Sequence, residues 1–183
     1  MKYRNVLLTG LVVAALWVTP SALAQVQEAS TDSFHIERDI TIEAPRERVW
    51  AAMMQIEAWW HPDHTYLGDA ERLSIDAMPG GCFCESLPGG GTEHMRVLHV
   101  APGELLRLGG GLGPLQEFAV AGTMTWTLSE AEVGTQLTLT YRVSGLVDGG
   151  LDSWAEPVDG VLHQAIQRLA RFVETGTPDA PDS

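Results

Sequence analysis

The chain of 183 residues is long enough for one domain and short for two. Hydrophobic residues make up 45% and charged residues 19%, which is the composition of a globular protein and excludes a disordered one. Lys and Arg number 11 against 24 Asp and Glu, so the formal net charge is −13. Such a charge repels nucleic acid and anionic membrane surfaces, and we therefore expect neither as a partner.

Residues 1–24 have the pattern of a secretory signal peptide. Lys2 and Arg4 precede an apolar run over 6–18, and Ala-Leu-Ala at 22–24 forms a small-x-small cleavage site. The run is shorter than the about 20 residues of a membrane span. We expect cleavage after residue 24, a periplasmic or secreted protein, and no stable membrane insertion afterwards; the alternative is an uncleaved anchor. Cleavage leaves 9 Arg against 24 acidic residues, a net charge of −15.

The next segment predicts one strand followed by two short helices. Residues 25–33 are polar and are expected to form a flexible lead-in. Residues 34–43 alternate between apolar and polar, as in a strand with one buried face. A proline then opens a helix over 45–55. A second short helix is predicted over 56–60, where the following proline stops it.

The remaining chain predicts a strand meander and one long helix. Short turns separate about six predicted strands, at 72–77, 82–87, 94–101, 104–108, 117–129 and 135–145. Apolar residues recur at helical spacing over 154–173, and Gly176 is a suitable C-terminal stop before a polar tail over 177–183. These elements predict an α+β fold, in which a curved antiparallel sheet of about seven strands wraps around the long C-terminal helix.

Four motifs carry a resemblance to a known superfamily. They are Ala44-Pro45-x-x-x-Val49-Trp50, the pair Trp59-Trp60, Pro79-Gly80-Gly81-x-Phe83 and Gly134-Thr135-x-Leu137-Thr138-Leu139-Thr140. Over residues 34–176 the chain resembles the helix-grip fold of START-type domains, the SRPBCC superfamily, which includes polyketide cyclases, lipid-transfer domains and birch-pollen-type allergens. It is most similar to the branch of heat-shock-ATPase-activator homologues and polyketide-cyclase-like proteins. The resemblance implies an apolar cavity between the sheet and the last helix.

One aromatic and imidazole-rich segment is the densest candidate for a site. It contains Trp59, Trp60, His61, His64 and Tyr66, and the resemblance places it near the mouth of the implied cavity. Its aromatic faces suit an aromatic or polycyclic ligand, and a histidine there can move protons near neutral pH. The alternative is that the two tryptophans only cover the end of the sheet.

Further candidates for the cavity wall come from the predicted strands and the last helix. They are Glu85, His94, Arg96, Gln116, Trp126, Tyr141 and Trp154. An inward-pointing Arg96 would offer a bidentate partner for a ligand carboxylate, whereas an outward-pointing one would be solvated. Arg38 lies on the apolar phase of the first strand, and we expect its side chain to reach water at an edge rather than point into a cavity.

Cys82 and Cys84 are the two cysteines of the chain. A disulfide between residues two apart closes a tight loop, so two separate, half-buried thiols are the preferred interpretation. A metal site would join both thiols to His61 and His64, but the spacing matches no standard zinc module. We therefore expect no metal, and nothing in the sequence predicts a cofactor.

Three functions are compatible with these patterns. The leading hypothesis is an exported SRPBCC domain, a monomer or weak dimer, that binds a small apolar or aromatic molecule in its cavity. The second is a cyclase- or hydratase-like enzyme acting on such a ligand with a His or Asp as acid or base. The third is a chaperone-activating interaction protein, against which export argues because that activity requires a cytosolic ATP-driven partner.

Overall fold

The computed structural model describes residues 26–180, so the predicted signal peptide lies outside the described residues. The strands are β1 (Val26–Ser30), β2 (Ser33–Ile42), β3 (Leu73–Ile75), β4 (Cys82–Leu87), β5 (Gly90–Ala101), β6 (Leu105–Gly109), β7 (Ala119–Glu130) and β8 (Thr135–Leu146). The helices are α1 (Arg46–Met53), α2 (Ile56–Trp59) and α3 (Asp152–Thr175), with 3-10 turns at Pro62–His64, Ala70–Arg72 and Gly113–Glu117. None of the helices described is long and apolar enough to cross a membrane.

All the strands described form one antiparallel sheet in the order β1-β2-β8-β7-β6-β5-β4-β3. The long strands β7 and β8 are paired along their whole length, and β2 lies on the other side of β8. Helix α3 packs on the sheet against β2 and contacts both short helices. The predicted helix-grip architecture is confirmed, with eight strands described rather than about seven.

The added strand, β1, occupies the segment for which a flexible lead-in was predicted. Its backbone pairs with β2, from Val26 opposite Ile36 to Ser30 opposite Ser33. Four of its five side chains are exposed, so the segment carries no alternating apolar pattern. The prediction was wrong because an exposed edge strand is held by backbone hydrogen bonds, which any residue except proline can donate.

The buried face of α3 closes the core. Leu162, Ile166 and Leu169 are at most 1% exposed and belong to the cluster that the inner face of the sheet completes. Gly176 ends the helix in the left-handed conformation, with φ of 85°, as the sequence predicted. The closing helix is thus amphipathic along its length and supplies one layer of a two-layer core.

A buried ion pair also joins α3 to the sheet. Arg38 on β2 donates to the carboxylate of Asp159 through Nε, at 2.7 Å from Oδ1, and through Nη2 to Oδ2. Arg38 is 9% exposed and Asp159 2%. The expectation that Arg38 reaches water is wrong, because a bidentate partner from α3 compensates its charge inside the protein.

Candidate functional site

A cavity of about 300 Å³ opens between α3, β4, β5 and the two loops that follow α2 and β6. Four aromatic side chains, Trp60, Tyr66, Phe83 and Trp154, form much of its wall. The aliphatic part of the wall consists of Leu112, Pro114, Leu115, Pro157, Val158 and Val161. The volume lies at the lower end of the range for small-molecule sites, and the lining is mostly apolar with a few polar groups, as is typical of such sites.

Aromatic contacts hold this wall in place. The rings of Trp60 and Phe83 meet edge to face with centroids 5.5 Å apart, and Trp154 meets Phe118 in the same way at 5.4 Å. The indole Nε1 of Trp60 donates a hydrogen bond to the carbonyl oxygen of His64 at 3.1 Å. The polar end of Trp60 is therefore satisfied while its ring faces the cavity.

The polar element of the wall is a buried pair formed by Glu85 on β4 and His94 on β5. Glu85 is 1% exposed and His94 4%. The Nε2 atom of His94 lies 3.1 Å from Oε2 of Glu85, and the backbone N–H of Tyr66 donates to both carboxylate oxygens at 3.0 and 3.1 Å. Because a carboxylate only accepts, Nε2 carries the proton in the neutral ring and Nδ1 carries the lone pair. Nδ1 is buried and has no hydrogen-bond partner.

The environment of His94 keeps its ring neutral. Burial lowers the pKa of His94, and the hydrogen bond and charge of Glu85 raise it less. Aromatic rings also contact the imidazole: Phe83 at a centroid distance of 4.9 Å, and Tyr66, stacked nearly parallel, at 5.7 Å. The pair can therefore offer an uncharged hydrogen-bond acceptor at the cavity wall near neutral pH.

A bulge in β5 turns His94 inward. Phe83 pairs with Met95 and Cys84 with Glu93, so His94 is the extra residue between them. As a result His94 and Met95 are both buried, although neighbours on a regular strand point to opposite faces. A second register shift lies between Val97 and His99, so the side chains of β5 do not alternate regularly along the strand.

Tyr141 on β8 fixes the loop at another edge of the cavity. Its hydroxyl donates to the carbonyl oxygen of Gly110 at 3.1 Å and accepts from the backbone N–H of Leu112 at 2.9 Å. Burial raises the pKa of Tyr141 to about 12. Gly122 on β7 passes so close to this loop that a Cβ there would collide with the carbonyl oxygen of Gly110. The phenol is thus a positioning group rather than part of the wall.

Five of the predicted site residues line the cavity: Trp60, His64, Tyr66, His94 and Trp154. His64 also reaches across to α3, where its Nε2 lies 2.8 Å from Oε1 of Gln164. Their role in binding stays a prediction, but the structure brings them together from the loop after α2, from β5 and from α3.

The other predicted site residues lie elsewhere. Trp59 and Trp126 pack on each other in the core with centroids 5.9 Å apart, and Nε1 of Trp59 donates to the Ala52 carbonyl oxygen at 2.8 Å. His61 caps the 3-10 turn, accepting from the Asp63 N–H at 3.2 Å, and its side chain does not line the cavity. These residues support the wall from behind or flank it.

Arg96 is on the outer face of the sheet. It is exposed, and its guanidinium pairs with Glu93, with Nη2 2.6 Å from Oε2. We therefore remove it from the candidate wall, since strand alternation past the bulge directs its side chain to solvent. No Arg or Lys is among the described residues that line the cavity.

Sequence reasoning missed most of the aliphatic wall. Val158 lies on the face of α3 that the sequence predicted as one wall of the cavity, but Leu162, Ile166 and Leu169 of the same predicted face lie in the core, and Val161 was not assigned to this face. Leu112 and Pro114 lie in a glycine-rich loop, where local sequence carries no signal of burial. Phe83 was part of a motif that indicated the fold, and Glu85, a predicted wall residue, instead lies behind His94.

The sulfur atoms of Cys82 and Cys84 are joined in a disulfide. The preference for two separate thiols is corrected, because alternate residues of β4 project to the same side and their Cα atoms are 5.4 Å apart, within the usual range for a disulfide. Within residues 26–180, no group of three or more His, Cys, Asp or Glu side chains is arranged to hold a metal ion. The absence of a bound metal stays a prediction.

The sheet, the closing helix and the cavity between them define a helix-grip domain with an apolar internal site. The family model described as polyketide cyclase / dehydrase and lipid transport matches residues 33–174. The chain belongs to this family, and the predicted SRPBCC membership is thereby confirmed. No curated protein matches the chain.

Solved structures support the same fold. A conserved protein of unknown function from Enterococcus faecalis is similar with a TM-score of 0.57 and 17% identity, over 83% of this chain and 77% of its own. The Aha1 dimer from Colwellia psychrerythraea is similar with a TM-score of 0.55 and 18% identity, over 78% of this chain and 97% of its own. DynU16, a protein in the dynemicin biosynthetic locus, is similar with a TM-score of 0.55 and 22% identity, over 79% of this chain and 48% of its own.

Proposed function

We propose that this protein is an exported SRPBCC domain that binds a small apolar or aromatic molecule in its internal cavity. The observation that carries the proposal is the cavity of about 300 Å³ with four aromatic side chains in its wall. Burying an apolar ligand there removes the ligand and the rings from water, which is favourable roughly in proportion to the area buried. The family's description includes lipid transport, a function that also requires an apolar site.

Export is supported by residues 1–24, whose pattern is that of a signal peptide. The disulfide between Cys82 and Cys84 agrees with an oxidising compartment such as the periplasm. The acidic mature chain is a poor partner for nucleic acid. We propose a monomer or weak dimer; the Colwellia psychrerythraea relative is a dimer.

The experiment expresses the whole chain in a bacterium and purifies it from the periplasm. We expect the mature protein to begin at Gln25, and solvent extraction followed by mass spectrometry to release a co-purifying apolar molecule. A protein that retains Met1 in the membrane fraction would contradict export without affecting the proposal about the cavity.

A variant pair then ties binding to the cavity. Val158→Phe fills the cavity from α3, whereas Val133→Phe makes the same change at an exposed turn. Titration with naphthalene, followed by fluorescence, should show saturable binding to wild type and to Val133→Phe and at least about tenfold weaker binding to Val158→Phe. Equal affinities of the folded variants would place binding outside this cavity.

A cyclase- or hydratase-like reaction is the second candidate, and the observation that favours it is the pair Glu85–His94. A neutral histidine held by a carboxylate has the arrangement of a general base. Incubation of the extracted molecule with fresh protein distinguishes the two functions. A molecule unchanged in both mass and chromatographic retention favours a binding protein, and a change in either that requires His94 favours an enzyme.

A further inference from the structure

The cavity wall has an uneven distribution of polar groups. The lining includes the polar side chains of Asp63, His64, Thr65 and His94, and the carboxylate of Glu85 lies behind His94. The described lining contains no Arg or Lys. An anionic ligand would therefore enter a site with negative charge beside it and no cation to compensate its own, which is unfavourable at low dielectric.

The hydrogen-bonding capacity of His94 is only half used. Its Nε2–H is committed to Glu85, whose carboxylate is also held by the backbone N–H of Tyr66. Phe83 and Tyr66 pack against the ring, so it cannot turn freely. The nitrogen that remains is Nδ1, buried and without a partner in a side chain that is 4% exposed. A buried acceptor without a donor costs free energy, which a ligand with a suitable donor recovers.

We propose that His94 makes this cavity selective for aromatic ligands that carry a hydroxyl group and no carboxylate, with the hydroxyl donating a hydrogen bond to Nδ1. Glu85 is the positioning residue, since its carboxylate fixes both the orientation and the tautomer of the ring. The inference rests on the proposed binding function and names its ligand class.

The electrostatics of the surroundings are consistent with this role. The charged and titratable groups around His94 are Glu85 on β4, Tyr66 on the loop after α2, and Glu117, whose charge acts on Tyr66 from the loop after β6. Both carboxylates favour a ligand that donates over one that is anionic. Burial lowers the pKa of His94, so the ring remains an acceptor at neutral pH.

The test compares four two-ring probes on the wild-type protein at neutral pH: naphthalene, 2-naphthol, 2-methoxynaphthalene and 2-naphthoate. They share one apolar body and differ in a single substituent. We expect 2-naphthol to bind about tenfold more tightly than its methyl ether, which cannot donate, and 2-naphthoate to bind at least about tenfold more weakly than naphthalene. Because the comparison is between ligands, it does not depend on the folding of any variant.

A variant then assigns the preference to His94. The double change Glu85→Gln with His94→Phe keeps a side-chain acceptor for the Tyr66 N–H, removes the buried charge and preserves an aromatic ring in the wall. We expect this variant to bind 2-naphthol no more tightly than 2-methoxynaphthalene, whatever the change in its affinity for the shared apolar body. A preference that survives the double change would overturn the assignment to His94.

The outcomes separate this inference from the proposed function. If none of the four probes binds, the proposed apolar site is wrong, and the inference is wrong with it. If naphthalene binds and the hydroxyl brings no gain over the ether, the binding function stands and the selectivity is refuted. Tight binding of 2-naphthoate would likewise refute the selectivity alone.

Discussion

Two buried polar pairs, Arg38–Asp159 and Glu85–His94, lie in different parts of the same domain. They differ in whether every buried polar atom has a hydrogen-bond partner. In the first, both carboxylate oxygens of Asp159 accept from the guanidinium of Arg38, between β2 and α3. In the second, the carboxylate of Glu85 is satisfied but Nδ1 of His94 is left without a partner. The first pair joins two layers of the fold, and the second lies in the wall of a cavity.

The difference indicates which buried polar group is structural and which is available to a ligand. No buried side-chain atom of Arg38 or Asp159 lacks a partner, and removing one member of the pair leaves the charge of the other in an apolar environment. An incompletely paired group beside a cavity retains capacity for a molecule from outside. Stability should therefore respond mainly to the first pair, and ligand selectivity mainly to the second.

The largest effect on stability is expected from Asp159→Ala. It leaves the charge of Arg38 buried and uncompensated, and we expect the free energy of unfolding to fall by about 3–5 kcal/mol, measured by urea denaturation. The double variant Arg38→Met with Asp159→Leu should recover most of the loss, since neither charge is then buried. A loss below about 1 kcal/mol for Asp159→Ala would show that this pair contributes no more to the free energy of unfolding than an exposed ion pair does.

Leu169→Ala and Trp154→Ala compare the effects of truncating a core residue and a cavity residue of α3 on stability and on binding. Leu169 is fully buried, so its truncation should cost about 2–5 kcal/mol by thermal or urea unfolding. Trp154→Ala, at the cavity wall, should cost less and should weaken naphthalene binding per folded molecule. Equal destabilisation by the two changes, with binding intact, would identify Trp154 as a core residue.

A smaller loss is expected from Tyr141→Phe. The change removes the acceptor for the Leu112 N–H and the donor to Gly110, and should cost about 1–2 kcal/mol in urea denaturation. Tyr66→Phe is the matched control, because Tyr66 is half-exposed and its loss of a hydroxyl should change stability by less than about 0.5 kcal/mol. Comparable effects of the two changes would argue against a special role for Tyr141 in fixing the loop.

The smallest expected effect is on the pH dependence of stability. Since the pKa of His94 is lowered in the folded protein, the unfolded chain takes up a proton at higher pH, around its ordinary value of 6.5. The contribution of His94 to stability is complete above that value and is lost as pH falls below it towards the folded pKa.

We therefore expect the midpoint of thermal unfolding to decrease between about pH 7.5 and about pH 5.5, and the decrease to be smaller in the Glu85→Gln, His94→Phe double variant. Part of the decrease should persist, because the pKa of His163 is lowered as well, chiefly by burial and by the charge of Arg38. An identical decrease in both proteins would show that His94 does not titrate differently on folding.

The candidate site was predictable where its residues belong to local patterns. Trp60, His64 and Tyr66 stood out as a dense aromatic and imidazole segment, and Trp154 began the apolar stripe of the last helix. Arg96 and His94 could not be distinguished in the sequence, since an extra residue in β5 reverses the alternation between them. Such a bulge depends on how β5 pairs with β4, and no pattern within β5 alone records it.

The order of the elements, the α+β class and the closing helix were determined by the sequence itself, because periods of 2 and about 3.6 residues are local properties of strands and helices. The tertiary structure alone decided that the edge segment forms β1, that Arg38 meets Asp159 from 121 positions away, and that Glu85 holds His94 at the cavity wall. Each of these features depends on contacts between segments brought together by folding. Their free energy comes from desolvation and pairing in three dimensions, for which neighbouring residues in the chain carry no signal.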